Sequence, residues 1–166
     1  MEDVIPESAQ IYLKLRDRIL HLNPSEVGLA ISNIAPSVWG VLMETGYQVG
    51  SATLVLLADG TTSLYYSTGG GMLSSGKYFP IAEASKALIA EAERHLQYMS
   101  LINETPLPDV GQVRFIILTY SGMYAGEAPE KTLTAGKHQF SPLFLKAQET
   151  LKQLRSLSEK GRDNHP

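Results

Sequence analysis

Two stretches of this chain read almost alike. Leu54-Val-Leu-Leu-Ala-Asp-Gly60 is an apolar run ending in a tight turn, and Phe115-Ile-Ile-Leu-Thr-Tyr-Ser-Gly122 is another, about sixty residues on. Each leads to a second short strand, then to Gly-Lys, then to a proline just inside an amphipathic helix: Gly76-Lys77 with Pro80, and Gly136-Lys137 with Pro142. The distance from turn to Gly-Lys differs by two residues, so the likeness is loose. It predicts two β-β-α units. Strands joined by tight turns must run antiparallel, which already excludes a doubly wound parallel sheet for most of the chain.

Periodicity supplies the remaining elements. From Glu7 to Leu22 the residues Tyr12, Leu15, Ile19 and Leu22 recur three or four apart, with Lys14, Arg16, Asp17 and Arg18 between them. That pattern predicts a surface helix, with Pro6 near its start and Asn23-Pro24 closing it. The stretch Val27 to Ile34 is apolar but interrupted by Gly28 and Ser32, and receives no assignment.

Val38–Met43, Gln48–Leu57 and Thr61–Thr68 read as a meander turned at Thr45-Gly46 and Asp59-Gly60, the second a strong hairpin signal because glycine readily takes positive φ. Leu54–Leu57 shows no alternation, as expected of a central strand covered on both faces. After Gly69-Gly70-Gly71 a helix is predicted from Pro80 to Met99, with Ile81, Ala84, Leu88, Ala92, Leu96 and Met99 on one face.

A Pro-rich connector, Asn103–Asp109, precedes a buried strand at Val113–Tyr120. Its hairpin partner, Met123–Ala128, is expected to form an open sheet edge. A last helix starts near Ser141, which can cap it, with Pro142 at the first helical position and Phe144, Ala147, Leu151 and Leu154 facing inward. Residues from Ser158 to Pro166 are polar and expected to be disordered.

The predicted order is α-βββ-α-ββ-α. It describes one α+β domain over residues 1–157, with a mostly antiparallel sheet of about five strands and three helices packed on it. In element order this resembles the roadblock and profilin-like α-β-α sandwiches. The resemblance implies a dimerising or docking role and brings no site residues with it.

Composition narrows the function classes. A chain of 166 residues is long enough for one self-sufficient core. There is no cysteine, so disulfides, thiolate metal sites and cysteine nucleophiles are ruled out. The absence of a signal-like N-terminus or a long apolar run sets the expectation of a cytoplasmic protein without a membrane partner. The net charge of −3, with charges scattered, offers no basic stripe for nucleic acid. Tyrosine dominates the aromatics, eight against four Phe and one Trp, and its half-polar ring suits shared surfaces.

Few residues suggest chemistry. Gly71-Met-Leu-Ser-Ser-Gly-Lys77-Tyr78 is one residue from a phosphate-binding P-loop, but tyrosine stands where a Ser or Thr would ligate Mg²⁺, and Pro80 delays the helix that should receive the phosphates. Gly69, Gly70, Gly71 and Lys77 remain candidates for binding an anion or small ligand, joined by Lys137 and His138 from the second Gly-Lys loop. Placed near Tyr120, Ser121 and Tyr124, with Glu127 or Glu130 to orient it, His138 could serve as a general base. No metal-ligand spacing is present, and neither metal nor cofactor is expected. Two readings follow: a non-enzymatic interaction or homodimerisation module, and a small-ligand or anion-binding protein, or an enzyme, using the Gly69–Lys77 loop and His138.

Overall fold

The computed structural model describes residues 6–27 and 37–163, with side chains described through Ser158. The unassigned stretch beyond Val27 and the end of the tail lie outside these residues. The elements are α1 (Glu7–Leu20), β1 (Val38–Tyr47), β2 (Gly50–Leu57), β3 (Thr62–Tyr66), β4 (Gly71–Ser74), α2 (Phe79–His95), β5 (Ser100–Ile102), β6 (Gln112–Thr119), β7 (Gly122–Pro129), α3 (Glu130–Thr134) and α4 (Ser141–Asp163), with 3-10 turns at Pro24–Val27 and Leu96–Tyr98. The fold is α+β, as expected, but the sheet has seven strands and the described chain four helices. All seven strands pair antiparallel in the order β4-β3-β2-β1-β6-β7-β5.

The strand order shows what the sequence repeat is worth. β2 and β6 lie on either side of β1 and both run antiparallel to it, so they point the same way. Their hairpin partners, β3 and β7, extend outward on opposite sides, while α2 and α4 cover the same face. Units that share strand direction and face but turn outward in opposite senses are related by reflection, and no rotation of an L-chain produces a reflection. The two β-β-α stretches are therefore not copies of one another in space.

Several elements depart from the sequence reading for local reasons. Gly69 and Gly70 take φ of +111° and +81° and turn the chain back, so the Gly71 segment becomes strand β4 instead of a loop. The Gly69 N–H donates to the Tyr66 carbonyl at 3.0 Å and the Tyr66 N–H to the Gly70 carbonyl at 3.2 Å. Thr45-Gly46 is not a turn but lies inside β1. At Gly46 a Cβ would stand 2.2 Å from the Asp109 carbonyl oxygen. The glycine there permits the Asn103–Asp109 connector to cross the end of β1, and the Gly111 N–H donates to the Gly46 carbonyl at 2.8 Å. β7 is not the sheet edge, because β5 pairs along Met123–Ala125. α4 runs on to Asp163, past the Ser158 at which disorder was expected.

The sheet is clothed on both faces. On one, Val41, Met43, Leu54, Leu64, Phe115 and Ile117 meet Ile81, Leu88 and Ala92 of α2 and Leu143, Phe144, Ala147, Leu151 and Leu154 of α4. On the other, Trp39, Leu42, Val55, Leu57, Ile116 and Leu118 meet Ile19 and Leu20 of α1 and the following Leu22. Side chains of successive strand residues point to opposite faces, so a central strand with both faces covered must be apolar throughout. No helix among the described residues is long and apolar enough to cross a membrane.

Candidate functional site

The residues singled out in the sequence do not meet. Lys77 lies two residues before α2, whereas His138 lies beside Gln139, whose carbonyl sits 3.0 Å from Nε2 of His95, the last residue of α2. A helix of 17 residues separates these points by about 24 Å at 1.5 Å per residue. Gly69, Gly70 and Gly71 are at the opposite end of β4 from Lys77, roughly 13 Å away by strand rise.

The two Gly-Lys pairs also do different work. Gly136, at φ +73°, ends α3: its N–H donates to the Leu133 carbonyl, and the Lys137 N–H donates to that of Thr132, both at 3.1 Å. Gly76 instead packs backbone to backbone on Gly60.

His138 is committed to the α3–α4 junction. Its Nδ1 accepts the Phe140 N–H at 3.0 Å and its ring lies 5.0 Å from that of Phe140. Its own N–H donates to Ser141 Oγ, which donates in turn to the Leu133 carbonyl, both at 3.1 Å. The Ser141 hydroxyl thus ties α3 to α4 and does not cap the helix. His95, the last residue of α2, is buried, with its Nδ1 2.8 Å from the Glu91 carbonyl.

A buried polar chain not foreseen in the sequence joins α1 to the sheet. Arg16, which the helical pattern placed on the outside, is buried. It donates to both carboxylate oxygens of the fully buried Glu44, at 2.7 and 2.8 Å, and to the Thr105 carbonyl at 2.5 Å. Thr53 Oγ1 donates to the same carboxylate at 2.7 Å. That leaves Tyr12 as donor to Thr53 at 2.5 Å, with Ser51 donating to Tyr12 at 3.2 Å. Burial alone would lower the Arg16 pKa, but hydrogen bonding and charge from Glu44 outweigh it and hold the guanidinium above its ordinary value. These bonds fix α1 to β1 and β2 and leave no buried side-chain polar atom of the described residues without a partner.

Two of the open surfaces stand out. The first is the β4 edge, which with β5 bounds the sheet and has no described strand beyond it. Leu73 follows Val55 and Ser63 in one cross-strand row on the α1 face and is 71% exposed, while Phe79 at the start of α2 is 72% exposed.

The second is a polar pocket of about 230 Å³ on the α2/α4 face. Its floor consists of two cross-strand rows, Met43–Leu54–Leu64 and Thr45–Ala52–Tyr66. Above them α4 presents Gln148, Leu151 and Arg155, spaced so that one helix face carries all three, and Tyr47 and Glu130 complete the rim. The Tyr47 phenol is pushed above its ordinary range by burial and then by the charge of Glu130, against a hydrogen bond from Thr45 and the charge of Arg155. Five separate elements contribute, so no local motif could reveal the pocket. The available signal was Gln148 and Arg155 standing in line with the inward Leu151.

A larger groove of about 570 Å³ lies between α2 and the β2–β3 turn, lined by Leu57, Ala58, Ala82, Ile89 and Ala90. Its rim charges are already engaged. Glu93 accepts from the Ser37 hydroxyl and the Val38 N–H, at 2.8 and 3.1 Å, and Arg94 pairs with Glu91. Among the described residues no cluster of His, Asp and Glu could hold a metal ion. Comparison with protein-family models, characterised proteins and solved structures gives no match.

Proposed function

We propose that this chain is a non-enzymatic interaction module whose copies pair through the β4 edge. The observation that carries this reading is the edge itself: a strand paired on one side only, with neither charge nor proline from Gly71 to Gly76, bearing the exposed Leu73. Natural edges are commonly blunted by lysine, proline or bulges, and β4 has only its shortness. Two such edges related by a two-fold axis meet antiparallel, which continues the sheet across the dimer and buries both copies of Leu73 near the axis.

The internal chemistry is in keeping with a scaffold. All buried side-chain polar atoms of the described residues have partners, and the most heavily buried charges, Arg16 and Glu44, are bound to each other. A ligand site built from Gly69, Gly70, Gly71, Lys77, Lys137 and His138 would have to bridge the length of α2.

Sedimentation equilibrium over a wide concentration range tests the proposal. The parent is expected to form a dimer that Leu73→Lys returns to monomer, with the melting temperature unchanged only at concentrations where the parent is itself monomeric. A parent that stays monomeric throughout, or a Leu73→Lys variant that associates as the parent does, contradicts it.

A further inference from the structure

We propose that the pocket beneath α4 binds a small zwitterion, with Glu130 receiving its ammonium group and Arg155 its carboxylate. This goes beyond pairing at β4 and rests on a different part of the molecule. The pocket combines an apolar floor with convergent polar groups of both signs, which is the general make-up of small-ligand sites. At about 230 Å³ it is smaller than the roughly 300–1,000 Å³ of drug-sized pockets, which excludes nucleotides and favours an occupant the size of an amino acid.

The charges on the rim are uncommitted. Among the described residues neither Glu130 nor Arg155 has an ion-pair partner, in contrast to Arg16, Arg94 and Arg114, each of which pairs with a glutamate. A guanidinium can receive a carboxylate through two parallel hydrogen bonds, and the Gln148 amide oxygen, two turns back along the same helix face, can accept from an ammonium group. The opposite end of the ligand finds the Glu130 carboxylate and the Tyr47 and Tyr66 rings, whose π-faces attract a cation.

Gln148 and Arg155 are seven residues apart on α4, about 10 Å along the axis, so the polar groups span more than the backbone of a simple α-amino acid. The geometry therefore favours an unbranched chain with its amine and carboxylate at opposite ends.

Isothermal titration of the full chain with glycine, γ-aminobutyrate and 6-aminohexanoate tests this, with butyrate and butylamine as single-charge controls, each at millimolar concentration. One of the two longer zwitterions is expected to bind more tightly than glycine and than either control. Arg155→Gln and Glu130→Gln each weaken that binding at least tenfold, while Lys146→Gln on the exposed side of α4 leaves it unchanged. Arg155 is exposed and Glu130 half-buried, so both variants are expected to keep the parent's circular dichroism melt. Lack of binding by every zwitterion, equal binding of a single-charge control, or binding that survives either variant overturns the proposal.

Discussion

The two faces of the sheet are held by different physics. The face under α2 and α4 is a continuous apolar layer in which Phe115 and Phe140 meet edge to face at 6.1 Å and long aliphatic rows run from β3 to β6. The face under α1 has a smaller apolar cluster, confined to the end near Trp39, and α1 is tied down at mid-length by a buried ion pair with its hydroxyl chain. Apolar packing tolerates small slides, whereas a bidentate guanidinium–carboxylate contact does not. The comparison teaches that α2 and α4 are stabilised chiefly by burial, and that α1 is set in place chiefly by direction-dependent bonds.

The sharpest way to break this comparison is Arg16→Met, which strands a buried carboxylate and is expected to cost about 3–5 kcal/mol in denaturant unfolding. Adding Glu44→Leu should restore much of that loss, since replacing both members of a buried pair by apolar groups is often neutral. A double variant as unstable as the two single losses combined would show that the pair does not act as a unit. On the other face no such rescue exists. Leu88→Ala removes fully buried methyl groups and is expected to cost about 2–5 kcal/mol, depending on how far the cavity collapses.

Tyr12→Phe is a milder probe, expected to cost roughly 1 kcal/mol for the lost hydrogen bond to Thr53. It also carries a pH signature. Burial, above all, raises the Tyr12 phenol above its ordinary value of 10.0. A folded-state pKa higher than the unfolded one gives a contribution that is complete below about pH 10 and lost as pH rises through the folded value. Stability should therefore fall above pH 10, and Tyr12→Phe should make the fall shallower, with Tyr47, also raised, responsible for part of the remainder. The smallest effect is expected from Leu73→Lys, within about 0.5 kcal/mol in the monomer, since exposed substitutions rarely do more.

Much of the scaffold was legible because it depends on local patterns. The Asp59-Gly60 turn, the unbroken apolar runs of β2 and β6, and the stripes of α1, α2 and α4 follow from turn chemistry and periodicity. β5 was hidden because three residues are too few to show alternation, and β4 because a glycine run reads as loop until its turn geometry is known. The Arg16–Glu44 pair was hidden for a different reason. An arginine among surface charges looks solvated, and only the tertiary approach of β1 shows that it is not. The polar pocket draws on β1, β2, β3, α3 and α4, and sequence spacing carries no record of such convergence.

Hydrogen–deuterium exchange of the Gly71–Ser74 amides, measured at low and at high protein concentration, tests the central claim most directly. Pairing of the β4 edge between copies predicts that the outward-facing amides exchange freely in dilute solution and become protected as concentration rises, while amides in the central strand β1 keep the same protection throughout. Exchange at β4 that is the same at both concentrations would contradict the account.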